Sequence, residues 1–395
     1  MYTSEASCLM STTDRATPIM VRGAGSLVWD RDGREYLDFV QGWATNALGH
    51  APPEIIAALT HQAQSLITAS PAYYNEPQLA LGRRLTSLSG LESAYLSCTG
   101  TEATETAIKL ARRWGRLSRD GAYEIVSTRN GFHGRTLGAM TASGKPGWEE
   151  LFPPNPPGFI KVEYGDVDAV AGAVSARTAA ILVEPIQGEA GVVVPPKDYL
   201  VALRQLADTS GVLLMFDEVQ TGLGRTGQLF AHEASGVKPD ILTLGKGLGG
   251  GVPISATLAS SRANCFVPGD HGGTFHGAPL ACQVALAVLD VVSSGDFLHQ
   301  VNLRGQQLAT GLEMLVTKFD LVETRGAGLL RALVLRRPCA AAVRDRCLEF
   351  GLLVNAARED VLRLMPSLRV TETEIASMLA RLDAALAAAK SGAQS

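Results

Sequence analysis

Three apolar runs constrain this chain most: Ala179-Ala-Ile-Leu-Val183, Val212-Leu-Leu-Met-Phe216 and Ile241-Leu-Thr-Leu244. They read as strands. They are nearly continuous rather than alternating, the pattern of strands covered on both faces. A helical stretch at about 198–210 separates the first two. Upstream, Ala94-Tyr-Leu-Ser97 and Tyr123-Glu-Ile-Val126 are also strand-like. Between these, residues 101–117 read as a helix with an apolar face at Ala103, Ala107, Leu110, Ala111 and Trp114. This β-α-β rhythm predicts an α/β fold, with a mostly parallel sheet covered by helices.

The texture changes after about residue 278. Helical patterns run over 278–292 and 297–318, followed by short strands and a last helix at about 372–389. Near the start, a short ribbon over 26–30 and 35–39 turns at Asp32-Gly33. The length, 395 residues, is enough for two to three domains. The expected division is an N-terminal segment with part of a small domain (1–64), a large central domain (65–292) and a C-terminal small domain (293–395). Both chain ends would then build one small α+β domain. Phe152-Pro-Pro-Asn-Pro-Pro-Gly158 reads as a surface loop.

Several functions lack their signature. Lys and Arg total 35 against 39 Asp and Glu, a net charge of −4, which gives no basic excess for nucleic acid or an anionic membrane. No apolar run approaches the roughly 20 residues of a spanning helix. The first thirty residues carry Glu5, Asp14, Arg15 and Arg22 with no apolar leader core, so the expected location is cytoplasmic. No two cysteines form C-x-x-C, and reduced, mostly buried thiols are expected. Gly236 breaks the zinc-protease pattern that His232-Glu233 would begin. No G-x-S-x-G is present.

Five places carry possible chemistry. Cys98-Thr-Gly-Thr-Glu-Ala103 follows a strand and opens a helix. Thr99 and Glu102 fit a capping box, and the free N–H groups beyond Gly100 suit a phosphate. Taken alone, a plain helix cap explains it better. Gly131-Phe-His-Gly-Arg-Thr136 offers a ring to stack on and a guanidinium for a carboxylate; alone, it reads as a core Phe and a surface Arg. Asp217 ends a very apolar strand, at the carboxyl end of the parallel sheet where α/β ligands bind. A carboxylate there needs a partner, and function is the better reading. Lys246 lies between glycines just after a strand, placed for Schiff-base chemistry. The surrounding Gly245-x-Gly247-x-x-Gly250 also matches a dinucleotide fingerprint, with Asp270 twenty residues on. Yet Gly251-Val-Pro253-Ile-Ser reads as a strand where that fingerprint needs a helix. Gly272-Gly273-Thr274-Phe275 is a glycine-rich turn ending in a hydroxyl, which alone is an ordinary loop.

Together these pieces stand in a familiar order. With Trp29-Asp-x-x-Gly33-x-x-Tyr36-Leu-Asp38-Phe, Leu48-Gly-His50, Glu184-Pro-Ile-Gln-Gly-Glu189, Asp217-Glu-Val-Gln220 and Leu362-Arg363-Leu-Met-Pro366, the chain resembles class III pyridoxal-phosphate-dependent aminotransferases of fold type I, and among them the acetylornithine aminotransferases. Asp217 and Lys246 stand 29 residues apart, as that resemblance leads one to expect. The resemblance implies a pyridoxal 5'-phosphate cofactor and a homodimer with shared active sites. It implies transfer of the terminal amino group of N2-acetyl-L-ornithine to 2-oxoglutarate in a ping-pong cycle. The products would be N-acetyl-L-glutamate 5-semialdehyde and L-glutamate, a step of arginine biosynthesis.

By the same resemblance, Lys246 would bond the cofactor aldehyde and Asp217 would face the pyridinium nitrogen. Gln220 would touch the ring hydroxyl, and Phe132 would cover one ring face. Thr99, Gly100 and Thr101 would bind the phosphate, with Thr274 reaching it from the neighbouring subunit. Glu218 and Val219 are further expected cofactor contacts. Arg135, Gly273 and the Glu189–Arg363 pair would meet the substrate. That pair would act as a gate, closed for a terminal amine and open for the α-carboxylate of glutamate. The plainer alternative is an exposed ion pair worth about 0–1 kcal/mol. Cys98, Thr104, His276, Ala278 and Thr13 depart from the common pattern and leave the donor open among succinylornithine, ornithine, 4-aminobutyrate and succinyl-diaminopimelate. An NAD-dependent oxidoreductase, resting on residues 245–250 alone, is the reading from another class.

Overall fold

The structure, a computed structural model, describes residues 8–392, so Glu5 lies outside the described residues. Seven strands form the central sheet in the order Ser93–Ser97, Ser255–Ala259, Ile241–Leu244, Leu213–Asp217, Thr178–Val183, Glu124–Thr128, Phe159–Val162. The last five run parallel to one another, and only Ser255–Ala259 runs against its neighbours. The expected mostly parallel α/β sheet is therefore present.

The continuous apolar runs follow from burial on both faces. Ala180, Leu182, Leu213 and Met215 pack with Ala107, Leu110, Ala111 and Trp114 of the helix Gly100–Ser118. The alternate residues Ile181, Val183, Leu214 and Phe216 belong to the opposite core, with Tyr199, Leu200 and Leu203 of the helix Tyr199–Ser210. Neither face meets water, so neither face carries a polar series.

The two chain ends share a sheet. The ribbon strands Leu27–Asp30 and Glu35–Asp38 pair antiparallel, and Leu352–Leu353 adds in parallel beside Leu37 and Asp38. The ribbon turn is fixed by Asp30, whose Oδ1 accepts from the Asp32 and Arg34 N–H groups, while Gly33 takes φ 82°. A second small sheet holds Glu323–Ala327, Leu330–Val334, Val361–Leu364 and Asn355–Arg358, all antiparallel. Long helices at Pro279–Val292, Phe297–Phe319 and Glu372–Gly392 complete the C-terminal half. Among the described residues no single helix is both long and apolar enough to cross a membrane.

The dinucleotide reading does not survive the local geometry. Lys246–Gly249 is one 3-10 turn, and Gly250 and Gly251 follow at φ 54° and 113°. No helix opens there. The strand begins at Ser255, just past Pro253, which has no N–H for a ladder.

Candidate active site

A cavity of about 250 Å³ opens at the carboxyl ends of the parallel strands. Asp217 enters it as the last residue of Leu213–Asp217 and is 4% exposed. Three donors hold its carboxylate. His133 Nδ1 lies 2.8 Å from Oδ2, while the Val219 N–H and the Thr243 hydroxyl donate to Oδ1 at 3.0 and 3.1 Å. His133 is fully buried, and its Nε2 has no hydrogen-bond partner. Sequence reasoning gave His133 no role. Its place beside Asp217 comes from folding residues 131–136 over the neighbouring strand ends.

Lys246 lines the same cavity. Its backbone sits at φ 42°, a left-handed value in a residue with a full side chain. Such strain persists only where the surroundings enforce it. Burial pushes the Lys246 ammonium below the usual lysine range, with Glu189 opposing that shift. A larger share of neutral amine at neutral pH follows.

The N-terminus of Gly100–Ser118 forms the cup. The Glu102 carboxylate accepts from the Cys98 and Thr99 N–H groups at 2.9 and 2.8 Å, and Thr99 Oγ1 accepts from the Glu102 N–H, which completes the capping box. The cap thus occupies the N–H groups before the helix. Those of Gly100 and Thr101 in its first turn have no intrahelical partner and suit an anion. A Cβ on Gly100 would sit 2.6 Å from a Val219 methyl, so the close approach needs glycine. Thr101 Oγ1 accepts from the Arg135 N–H at 3.1 Å, tying the cup to the 131–136 segment.

Phe132 supplies an aromatic wall, edge-on to Trp148 with ring centroids 5.7 Å apart. Two cations crowd these rings. The Arg135 guanidinium is 4.6 Å from the Trp148 centroid, and Lys145 Nζ is 5.4 Å from that of Phe132. Behind them Glu184, quoted in the sequence pattern without a role, accepts from the Phe132 N–H at 3.1 Å. Burial holds the Glu184 carboxyl well above the usual range, and the Asp217 charge adds to it.

Glu189 and Arg363 meet at 2.7 Å, with side-chain exposures of 22% and 1%. The exposed-pair alternative is ruled out by that burial. Burial alone would raise the Glu189 carboxyl, but Arg363 and Lys246 outweigh it and hold it at about 2. Gln220 bridges the pair, accepting from Arg363 Nη1 at 3.0 Å and lying 3.4 Å from Glu189 Oε1.

Three expected contacts lie elsewhere. Glu218 follows Asp217 in extended chain, so it points the other way. Its carboxylate accepts from the Ala231 and His232 N–H groups and pairs with His232 Nδ1 at 2.6 Å. Gly273 and Thr274 line a second cavity with His271, His276 and Cys98, apart from Lys246. His276 in that loop bonds to Tyr95 through Nδ1. Cys98 contributes its main chain to the cap. Thr104 is buried with an unpartnered hydroxyl, Ala278 precedes the helix Pro279–Val292, and Thr13 is exposed.

The family model for class-III aminotransferases matches residues 10–386. Acetylornithine aminotransferase 2 of Bordetella pertussis is 48% identical over 98% of this chain and 98% of its own length. The acetylornithine aminotransferase of Streptomyces coelicolor is 46% identical, covering 92% and 89%. Among solved structures, the ornithine aminotransferase of Toxoplasma gondii superposes with a TM-score of 0.93 at 34% identity, covering 98% and 94% of the two chains. The N-acetylornithine aminotransferase of Stenotrophomonas maltophilia gives 0.83 at 36% identity, covering 95% and 96%. The donor set fits the cofactor of such enzymes. A glycine-dependent cup suits its phosphate, a triply held carboxylate suits its ring nitrogen, and a buried amine suits its aldehyde. The chain belongs to the class-III, pyridoxal-phosphate-dependent aminotransferases.

Proposed function

We propose that this chain moves the terminal amino group of N2-acetyl-L-ornithine to 2-oxoglutarate in a ping-pong cycle. The named relatives support that donor. The observation that carries the reading is the buried Glu189–Arg363 pair beside Lys246. It gives one cavity two charge states, as two unlike substrates require.

Pyridoxal phosphate, when bound, supplies the electron sink that lets a proton leave the carbon next to the amine. The protein's own groups do the rest. Asp217, held by His133, Val219 and Thr243, would keep a proton on the ring nitrogen. Lys246, the buried amine of the cavity, would hold the aldehyde, and as a free amine it would serve as the general base for the proton on the substrate carbon. The Gly100 and Thr101 N–H groups and the Thr99 turn would hold the phosphate, Phe132 would cover a ring face and Gln220 would face the ring hydroxyl, while Val219 packs against the cup at Gly100. Arg135 binds the donor carboxylate. With Glu189 on Arg363 the site accepts an uncharged approach to the terminal amine. With Glu189 aside, Arg363 takes the α-carboxylate of glutamate.

Gly273 and Thr274 are proposed to serve the cup of the partner protomer in a homodimer. Their exposed loop, set apart from Lys246, supports that. A cytoplasmic location and the division at about residues 64 and 292 belong to the same reading, the latter supported by the sheet shared between chain ends.

The test is a panel of amino donors with 2-oxoglutarate, scored by kcat/KM, for the natural chain and Glu189→Gln. N2-acetyl-L-ornithine should lead the panel. In single-turnover half-reactions followed by the cofactor absorbance, Glu189→Gln should slow the N2-acetyl-L-ornithine half-reaction about tenfold relative to the L-glutamate half-reaction. An unchanged ratio would remove the gate; another leading amine would replace the donor.

A further inference from the structure

Arg363 is held from a side that the gate does not use. It lies in the strand Val361–Leu364, wholly buried, with Asn355 directly across on Asn355–Arg358. Its Nε and Nη2 both donate to Asn355 Oδ1, at 3.1 and 2.9 Å. Nη1 donates to Gln220 Oε1 at 3.0 Å and meets Glu189 Oε1 at 2.7 Å. A guanidinium has five N–H groups. These contacts engage four and leave one Nη2 hydrogen beside the Nη1 that Glu189 holds.

Two of the three partners are neutral amides, so Glu189 alone opposes the charge. We propose that Asn355 is a positioning residue: it clamps the Nε edge of Arg363 so that an incoming carboxylate replaces Glu189 on a stationary fork. When Glu189 leaves, the guanidinium keeps its place, its full charge and an open Nη1–Nη2 edge. That edge can take a carboxylate through two parallel hydrogen bonds. Without the clamp, a long side chain freed from Glu189 would be ordered anew by each acceptor, at the cost of its rotamer freedom. An amide suits this task and a carboxylate does not. An Asp at this position would keep the contacts but neutralise Arg363 permanently and compete with the substrate. The inference rests on the proposed role of Arg363 as the acceptor's carboxylate site.

The experiment uses the holoenzyme and two variants, Asn355→Asp and Asn355→Ser, with Arg363→Gln as reference. Each half-reaction is followed alone by the cofactor absorbance, with N2-acetyl-L-ornithine or with L-glutamate, and KM for 2-oxoglutarate is measured at steady state. Asn355→Asp, nearly isosteric, should retain the cofactor spectrum. It should raise KM for 2-oxoglutarate tenfold or more, while the N2-acetyl-L-ornithine half-reaction stays within threefold. Asn355→Ser should show the same selectivity with a smaller rise. Equal losses in both half-reactions would mean a merely structural role and overturn the assignment. So would unchanged 2-oxoglutarate binding in both variants while Arg363→Gln loses it. Unchanged binding in Arg363→Gln would overturn the gate itself, and this inference with it.

Discussion

At the scale of single residues, the site is a set of buried charges held by neutral partners: Thr243 and Val219 bond the Asp217 carboxylate, and Asn355 and Gln220 bond the Arg363 guanidinium. Asp217 ends one apolar strand and Lys246 opens the turn two residues past the end of another, so their positions in the sequence pattern mark them. His133 and Asn355 act only through residues brought from other strands, and nothing in their own surroundings announces that. Glu218 was expected at the cofactor because its neighbours are. The two-residue alternation of extended chain turns it to the far side. Glu184 carries a pH consequence. Its folded carboxyl keeps a proton well above the ordinary 4.5. As pH rises above that value the unfolded chain releases the proton first, so stability from this group falls with pH, by up to about 1.4 kcal/mol per unit. Glu184→Gln mimics the protonated form and should raise the apoprotein Tm more at pH 8 than at pH 5. Equal effects at both values would show an ionised Glu184.

At the scale of elements, strands and helices were legible because their periodicities are strong. The helix expected at 101–117 is Gly100–Ser118, and its capping box was visible in Thr99 and Glu102. Not visible was why residue 100 must be glycine. The reason is Val219, 119 positions away in sequence, whose methyl would meet a Cβ at 2.6 Å. Gly100→Ala should push the first helical turn out of the cup. Cofactor Kd should rise tenfold or more with helix content unchanged by circular dichroism. Unaltered Kd would show that the cup is not where the phosphate binds. The strand after the Lys246 turn was expected at 251–255 and starts at Ser255, since the glycines at positive φ and Pro253 delay pairing.

At the scale of the whole molecule, the large sheet was legible from its doubly covered runs and the ribbon of the first small sheet from its Asp32-Gly33 turn, whereas the pairings that complete the small sheets were not. The pair Leu352–Leu353 is too short to carry a pattern, yet it joins the chain ends. The separation of Thr274 from Lys246 belongs to this scale too. Mixed dimers test it. A protomer carrying Lys246→Ala paired with one carrying Thr274→Val should regain one fully competent site. Activity limited to that of the Thr274→Val dimer would place Thr274 in its own subunit's site.

The central claim is that the buried amine of Lys246 and the carboxylate of Asp217 serve opposite ends of one pyridine ring. Borohydride reduction of the purified holoenzyme, followed by peptide mass spectrometry, tests it most directly. A single phosphopyridoxyl group on the peptide containing Lys246, with loss of the visible absorbance, is the predicted result. A label on another lysine such as Lys145 or Lys161, or no label on a protein that retains its cofactor, would contradict it.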